Sequence, residues 1–94
     1  MFFSFVQKQE RIEVFMQPEN REILPGRYYR HFRGNLYKVI GIATHTETEE
    51  KMVVYQAQYG KCGLFVRPYH MFAEEIDREQ YPEATQKHRF ELVD

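Results

Sequence analysis

Aromatic, histidine and arginine side chains are concentrated in the middle of the chain, between residues 26 and 72. Aromatic rings can stack on a nucleobase or a proline ring, and arginine makes charge-assisted contacts with phosphate or carboxylate. A chain without Trp must also build its core from Phe and Tyr, so the alternative is that about half of these rings are buried. The candidate binding residues are Tyr29, His31, Tyr37, Tyr55, Tyr59, Phe65, Arg67, Tyr69 and His70.

Three of these residues, His31, Arg67 and His70, also fit a different kind of site. If the fold brought them together at the mouth of a barrel, they would suit a small enzyme or a small-molecule binder. Histidine transfers protons near neutral pH, and arginine holds anions. Arg67 has a structural interpretation as well, because a residue just before Pro68 could brace a turn or pair with a carboxylate such as Glu74.

The sequence contains no motif of a known catalytic or cofactor site, such as a P-loop, GxSxG, HExxH or a dinucleotide-binding fingerprint. His31, His45 and His70 are separated by 14 and 25 residues, whereas zinc ligands usually come in closely spaced pairs. Cys62 lies in a glycine turn, where we expect an exposed thiol rather than a nucleophile. We therefore expect no metal, no cofactor and no catalytic residue.

The net charge of −1 conceals a separation of charges along the chain. Residues 27–70 contain seven basic and three acidic residues, and residues 71–94 contain three basic and seven acidic residues. Charge asymmetry of this kind can mean an anionic partner, such as nucleic acid, a peptide or another protein. Alternatively, the acidic C-terminal segment packs on the basic block and neutralises it.

The start of the chain and its single cysteine favour a reducing compartment such as the cytosol. One cysteine allows no internal disulfide, which is typical of a reducing compartment. The first apolar run ends at Val6 and lacks a basic flank, so it is too short for a signal sequence or a membrane span. The sequence predicts a cytoplasmic protein that does not enter the membrane, with room for one domain in its 94 residues.

Alternating apolar positions and turn residues predict a series of short β-strands. Hairpin turns are expected at Gly34-Asn35 and between Gly60 and Gly63, and Gly41 indicates a bulge in a strand buried on both faces. A 3₁₀ or α-helical turn is predicted after Pro68, over residues 69–72. The predicted strands cover residues 27–33, 36–43, 52–59 and 64–67, an edge strand at 73–77, and a closing strand within 89–93.

These elements favour a mainly β fold, namely a small antiparallel barrel similar to the Src-homology-3 (SH3) domain. The helical turn would precede the closing strands. The predicted barrel domain covers residues 25–94 and includes the acidic C-terminal segment. Residues 1–24 are predicted to form a short helix or an irregular arm, with a strand over residues 12–16 as the alternative.

The central block resembles a bacterial family without an assigned function, domain-of-unknown-function family 1653. The matching segments are PGRYYRHFRGNLYKVIGIATHTET, VVYQAQYG and GLFVRPYHMF, within residues 25–72. The chain differs from the family pattern in an extra Tyr before Arg30, in Phe65 where Trp is frequent, and in a longer polar insert over residues 79–87. The resemblance implies a small β-fold in the bacterial cytosol and implies no activity.

Two functional hypotheses follow, and they belong to different classes. The first is a non-catalytic binding module with an aromatic and basic face for an anionic or extended partner. The second is the small enzyme or small-molecule binder described above. A homodimer that uses the aromatic surface as its contact is a third interpretation.

Overall fold

The structure, a computed structural model, describes residues 21–93. These residues form a five-stranded antiparallel sheet in the order β4-β3-β2-β1-β5. The strands are β1 (Tyr28–His31), β2 (Leu36–Thr44), β3 (Lys51–Ala57), β4 (Leu64–Pro68) and β5 (Phe90–Leu92), and helix α1 (Tyr69–Ala73) follows β4. The mainly β fold and the helical turn before the last strand are confirmed. The predicted N-terminal helix or arm lies outside the described residues, except for residues 21–24.

Positive backbone φ angles occur where two of the hairpins turn. Gly34 has a φ of 109° in the turn between β1 and β2, and Gly60 has a φ of 57° between β3 and β4. Glycine adopts such angles without a steric penalty because it has no Cβ. The second positive angle of the β3–β4 turn belongs to Cys62, at 55°, whereas the sequence predicted it for Gly63.

Strand β2 contains the predicted irregularity. Its register with β3 shifts between Val39 and Gly41, which is the signature of a β-bulge. The prediction that both faces of this strand are buried is wrong. Val39 is fully buried, but Ile40 is 47% exposed because it lies on the opposite, uncovered face of the sheet.

The sheet curves strongly but does not close. Although β5 lies at the opposite edge from β4, the ring of Phe90 on β5 lies 5.5 Å from the ring of Tyr55 on β3. No ladder joins β5 to β4 among the described strands, so a closed SH3-like barrel is not confirmed. The concave side of this curved sheet is the side on which α1 packs.

Helix α1 supplies the centre of the core. Phe72 is fully buried, and its ring stacks on Phe90 with the centroids 4.0 Å apart. Burial of one such side chain stabilises the fold by about 1.5–3 kcal/mol. The predicted edge strand at 73–77 is wrong, because α1 continues to Ala73 and only an isolated bridge joins Glu75 to His88. None of the helices in residues 21–93 has the length and apolar character needed to span a membrane.

Candidate binding face

The strand registers bring most of the predicted site residues to the concave face of the sheet. Tyr29 pairs with Tyr37, and Tyr55 pairs with Phe65. Directly paired residues of an antiparallel ladder project from the same face. Because side chains alternate along a strand, Arg67 lies on the same face as Phe65.

Part of this face is hydrophobic core, as the alternative interpretation expected. Tyr29 is 2% exposed, and its hydroxyl accepts a hydrogen bond of 2.8 Å from the backbone N–H of Leu24. Tyr55 is 6% exposed, and its hydroxyl accepts a hydrogen bond of 3.3 Å from Nε of Arg67. These two rings therefore hold the fold together and are not available for stacking.

The remaining rings lie at one end of the concave face and are half-buried or exposed. Phe65 is 46% exposed and Tyr59 is 44% exposed, while Tyr37 is partly buried between Tyr55 and Phe90. Two half-buried residues, His31 and Arg67, lie on the same face. We call these rings together with Arg67 the aromatic rim, and it consists of His31, Tyr37, Tyr59, Phe65 and Arg67.

Ring contacts connect the members of the aromatic rim. Tyr37 lies 5.6 Å from Tyr59, and Phe65 lies 5.8 Å from Tyr55. His31 and Arg67 both contact the buried ring of Phe90, at 5.0 Å and 5.7 Å from its centroid. The structure therefore places the five residues around the buried rings of Tyr55 and Phe90.

A direct hydrogen bond fixes the two tyrosines of the rim. The hydroxyls of Tyr37 and Tyr59 are 2.7 Å apart. Burial and this hydrogen bond raise the pKa of Tyr37 to about 12, so its hydroxyl stays neutral at physiological pH. The neutral hydroxyl of Tyr37 does not repel an anion.

His31 is neutral and lies in a positive environment. Burial lowers its pKa from 6.5 to about 4, with further contributions from the positive charges of Arg89, Arg67 and Arg33. Its Nδ1 accepts a hydrogen bond of 3.1 Å from the backbone N–H of Arg33. The proton of the neutral ring therefore belongs to Nε2.

The guanidinium of Arg67 forms no ion pair with a carboxylate of the described residues. The predicted partner Glu74 pairs instead with Arg89, at 2.7 Å. Its guanidinium instead donates a hydrogen bond to the hydroxyl of Tyr55 and lies over the ring of Phe90, at the edge of the core.

The acidic C-terminal segment does not pair with the basic block through ion pairs between described residues. Its carboxylates contact basic groups of the same segment. The pairs are Arg89 with Glu74 at 2.7 Å, Lys87 with Glu75 at 3.9 Å, and His88 with Glu91 at 3.4 Å.

Tyr69 and His70 lie apart from the aromatic rim. The hydroxyl of Tyr69 accepts a hydrogen bond from the backbone N–H of Ile23 and donates one to the carbonyl of Arg21. Nδ1 of His70 lies 3.6 Å from a carboxylate oxygen of Glu50. Both line a cleft of about 620 Å³ on the side of α1, whereas His31 and Arg67 meet at Phe90.

Cys62 belongs to no metal-binding cluster of the described residues. Cys62 is an exposed thiol at a turn, as expected. Within residues 21–93, no cluster of three or more His, Cys, Asp and Glu side chains has a geometry for a metal ion.

The sequence did not indicate Phe32, Arg33 and Tyr81 as a group, although the structure brings them together. The rings of Phe32 and Tyr81 are 4.8 Å apart, and the guanidinium of Arg33 lies over both. Tyr81 lies in the polar insert, where the only sequence signal was an aromatic residue among charged and small ones.

The fold and the rim define a small, mainly β domain with a half-exposed aromatic face. Residues 27–92 match a family described as protein of unknown function (DUF1653), and the chain belongs to this family. The match confirms the resemblance and extends it beyond residue 72 to include the insert and β5.

A solved structure of the same family has a similar fold. It is the crystal structure of a DUF1653 protein from Bordetella bronchiseptica, with a TM-score of 0.63 and 32% sequence identity. The similarity covers 77% of this chain and 88% of that chain. No match was found among the curated proteins.

Proposed function

We propose that this domain is a non-catalytic binding module whose aromatic rim takes an extended, negatively charged partner. The observation that carries the proposal is the position of half-exposed rings and of an arginine around the same buried rings, Tyr55 and Phe90. This arginine has no carboxylate partner among the described residues. Rings that served only as core would be covered, and Phe65 and Tyr59 are not.

The chemistry of the rim suits stacking combined with charge neutralisation. Stacking of one base on an aromatic side chain contributes about 1–3 kcal/mol. The arginine fork adds charge-assisted hydrogen bonds to phosphate or carboxylate. Arg67 is preorganised for this role, because its contacts with Tyr55 and Phe90 limit the rotamer freedom that binding would otherwise remove.

Fluorescence anisotropy with labelled single-stranded oligonucleotides and acidic peptides tests the proposal. We expect one of these probes to bind, and binding to weaken about 5- to 100-fold in Phe65→Ala and in Arg67→Gln. Tyr28→Ala is the matched control, because Tyr28 is 40% exposed on the opposite face of the sheet. Absence of binding by every probe, or equal losses in the control, would refute the proposal.

A further inference from the structure

The polar insert folds back on the β1–β2 turn and builds a second aromatic group. Tyr81 packs 4.8 Å from Phe32, and the guanidinium of Arg33 lies 5.4 Å from the centroid of Phe32 and 5.3 Å from that of Tyr81. A cleft of about 330 Å³ opens beside these three residues, and Glu83 contributes to its lining.

Internal hydrogen bonds shape the insert. The guanidinium of Arg78 donates to the carbonyls of Ala84 and Gln86, at 2.6 Å and 3.1 Å. The side-chain amide of Gln86 donates to the carbonyl of Arg30 on β1, at 3.1 Å. The loop is therefore attached to the sheet, and Tyr81 is held in place before any partner arrives.

This second group continues the aromatic rim. His31 stacks on Phe32 at 4.5 Å and contacts Phe90 at 5.0 Å, and Phe90 lies 5.6 Å from Tyr37. The second group therefore adjoins the rim at His31, whereas the contact between His31 and Tyr37 runs through the buried ring of Phe90.

We infer that Phe32, Arg33 and Tyr81 form a second stacking subsite, and that the partner is a single-stranded nucleic acid that spans both subsites. This inference rests on the proposed function, because the aromatic rim supplies the first subsite. Arg33 is exposed and has no carboxylate within ion-pair distance among residues 21–93, so it can contact a phosphate while its neighbouring rings take a base.

The spacing and charge favour a nucleic acid over a peptide. Two arginines, Arg67 and Arg33, that each lie beside aromatic rings match a polymer that repeats a planar group and an anion. Glu83 at the cleft can accept a hydrogen bond from the exocyclic amino group of a base. We expect a site size on the order of four nucleotides, the lower end of the range for small single-strand-binding folds.

The test compares oligonucleotide lengths in the full chain by fluorescence anisotropy. Probes of about two and about eight nucleotides fall below and above the expected site size. We expect Tyr81→Ala to weaken the long probe roughly 5- to 100-fold and to leave the short probe unaffected. Tyr81→Trp should retain tight binding of the long probe. Melting temperatures of Tyr81→Ala and Tyr81→Trp close to that of wild type would show that both variants fold.

The outcomes separate this inference from the proposed function. If the long probe binds and depends on Phe65 but not on Tyr81, the second subsite is refuted while the module remains. If acidic or proline-rich peptides bind through Tyr81 and oligonucleotides do not, the nucleic-acid partner is refuted. If nothing binds, both proposals fail.

Discussion

Acidification should destabilise this fold through His31. The folded protein holds the pKa of His31 at about 4, below its ordinary value of 6.5, because the ring is partly buried and three arginines lie nearby. Between these two values the unfolded chain binds more protons than the folded chain, so stability rises with pH across this window. Stability is therefore lost as the pH falls from 6.5 towards 4, and below that both states are protonated.

The structure sets the size of this effect. A shift from 6.5 to about 4 is about 2.5 pH units, and at about 1.36 kcal/mol per unit the upper limit is about 3.4 kcal/mol. The ring of His31 is partly exposed, so solvent screening reduces the expected loss to about 1–2 kcal/mol.

Urea unfolding at about pH 7 and about pH 4.5 measures the loss, with the free energy of unfolding compared between wild type and His31→Gln. Glu91 also has a lowered pKa, so it too destabilises the fold as the pH falls. Because Glu91 is present in both proteins, the difference between their pH dependences reports the contribution of His31. His45→Gln removes an exposed histidine from a hairpin tip and is the matched control. A measured His31 pKa near 6.5, or the same pH dependence in wild type and His31→Gln, would show that His31 does not cause the loss of stability in acid.

Two further predictions concern the core and a turn. Phe72→Ala should lower the free energy of unfolding by about 3–5 kcal/mol, because Phe72 is fully buried against Phe90. Phe65→Ala should lower it by less than about 1 kcal/mol. Urea titration measures both values, and similar losses in the two variants would contradict the assignment of Phe72 to the core and Phe65 to the rim. Gly34→Ala should lower the free energy of unfolding by about 1–2 kcal/mol, because the φ of Gly34 is 109°. Gly41→Ala should change it by less than about 0.5 kcal/mol, because Gly41 has open space around it and no positive φ. Equal melting temperatures of the two variants would contradict the role of Gly34 in the turn.

The strands could be predicted because their signals are local. Alternation predicted one shared face for Val53, Tyr55, Ala57 and Tyr59. The first three are buried, whereas Tyr59 lies beyond the end of β3 and is 44% exposed. The glycine at Gly41 indicated the bulge, and Gly34 indicated the first turn. Periodicity and turn chemistry depend on a few adjacent residues, so they are visible in one sequence.

The division of the aromatic face into core and surface could not be predicted in the same way. Tyr29 and Phe65 are both aromatic residues of predicted strands, yet Tyr29 is 2% exposed and Phe65 is 46% exposed. The difference depends on the curvature of the sheet and on the position of α1, which are properties of the whole chain. The group around Tyr81 was missed because its contact with Phe32 joins residues far apart in sequence.

The most direct test of the account is an NMR titration of the full chain with a single-stranded oligonucleotide of about eight nucleotides, above the minimum site size of such folds. We predict that amide resonances of Tyr37, Phe65 and Arg67 shift together with that of Tyr81, while Tyr28 on the opposite face stays unchanged. Shifts confined to the cleft around His70, or no shifts at all, would contradict the assignment of the aromatic rim as the binding surface.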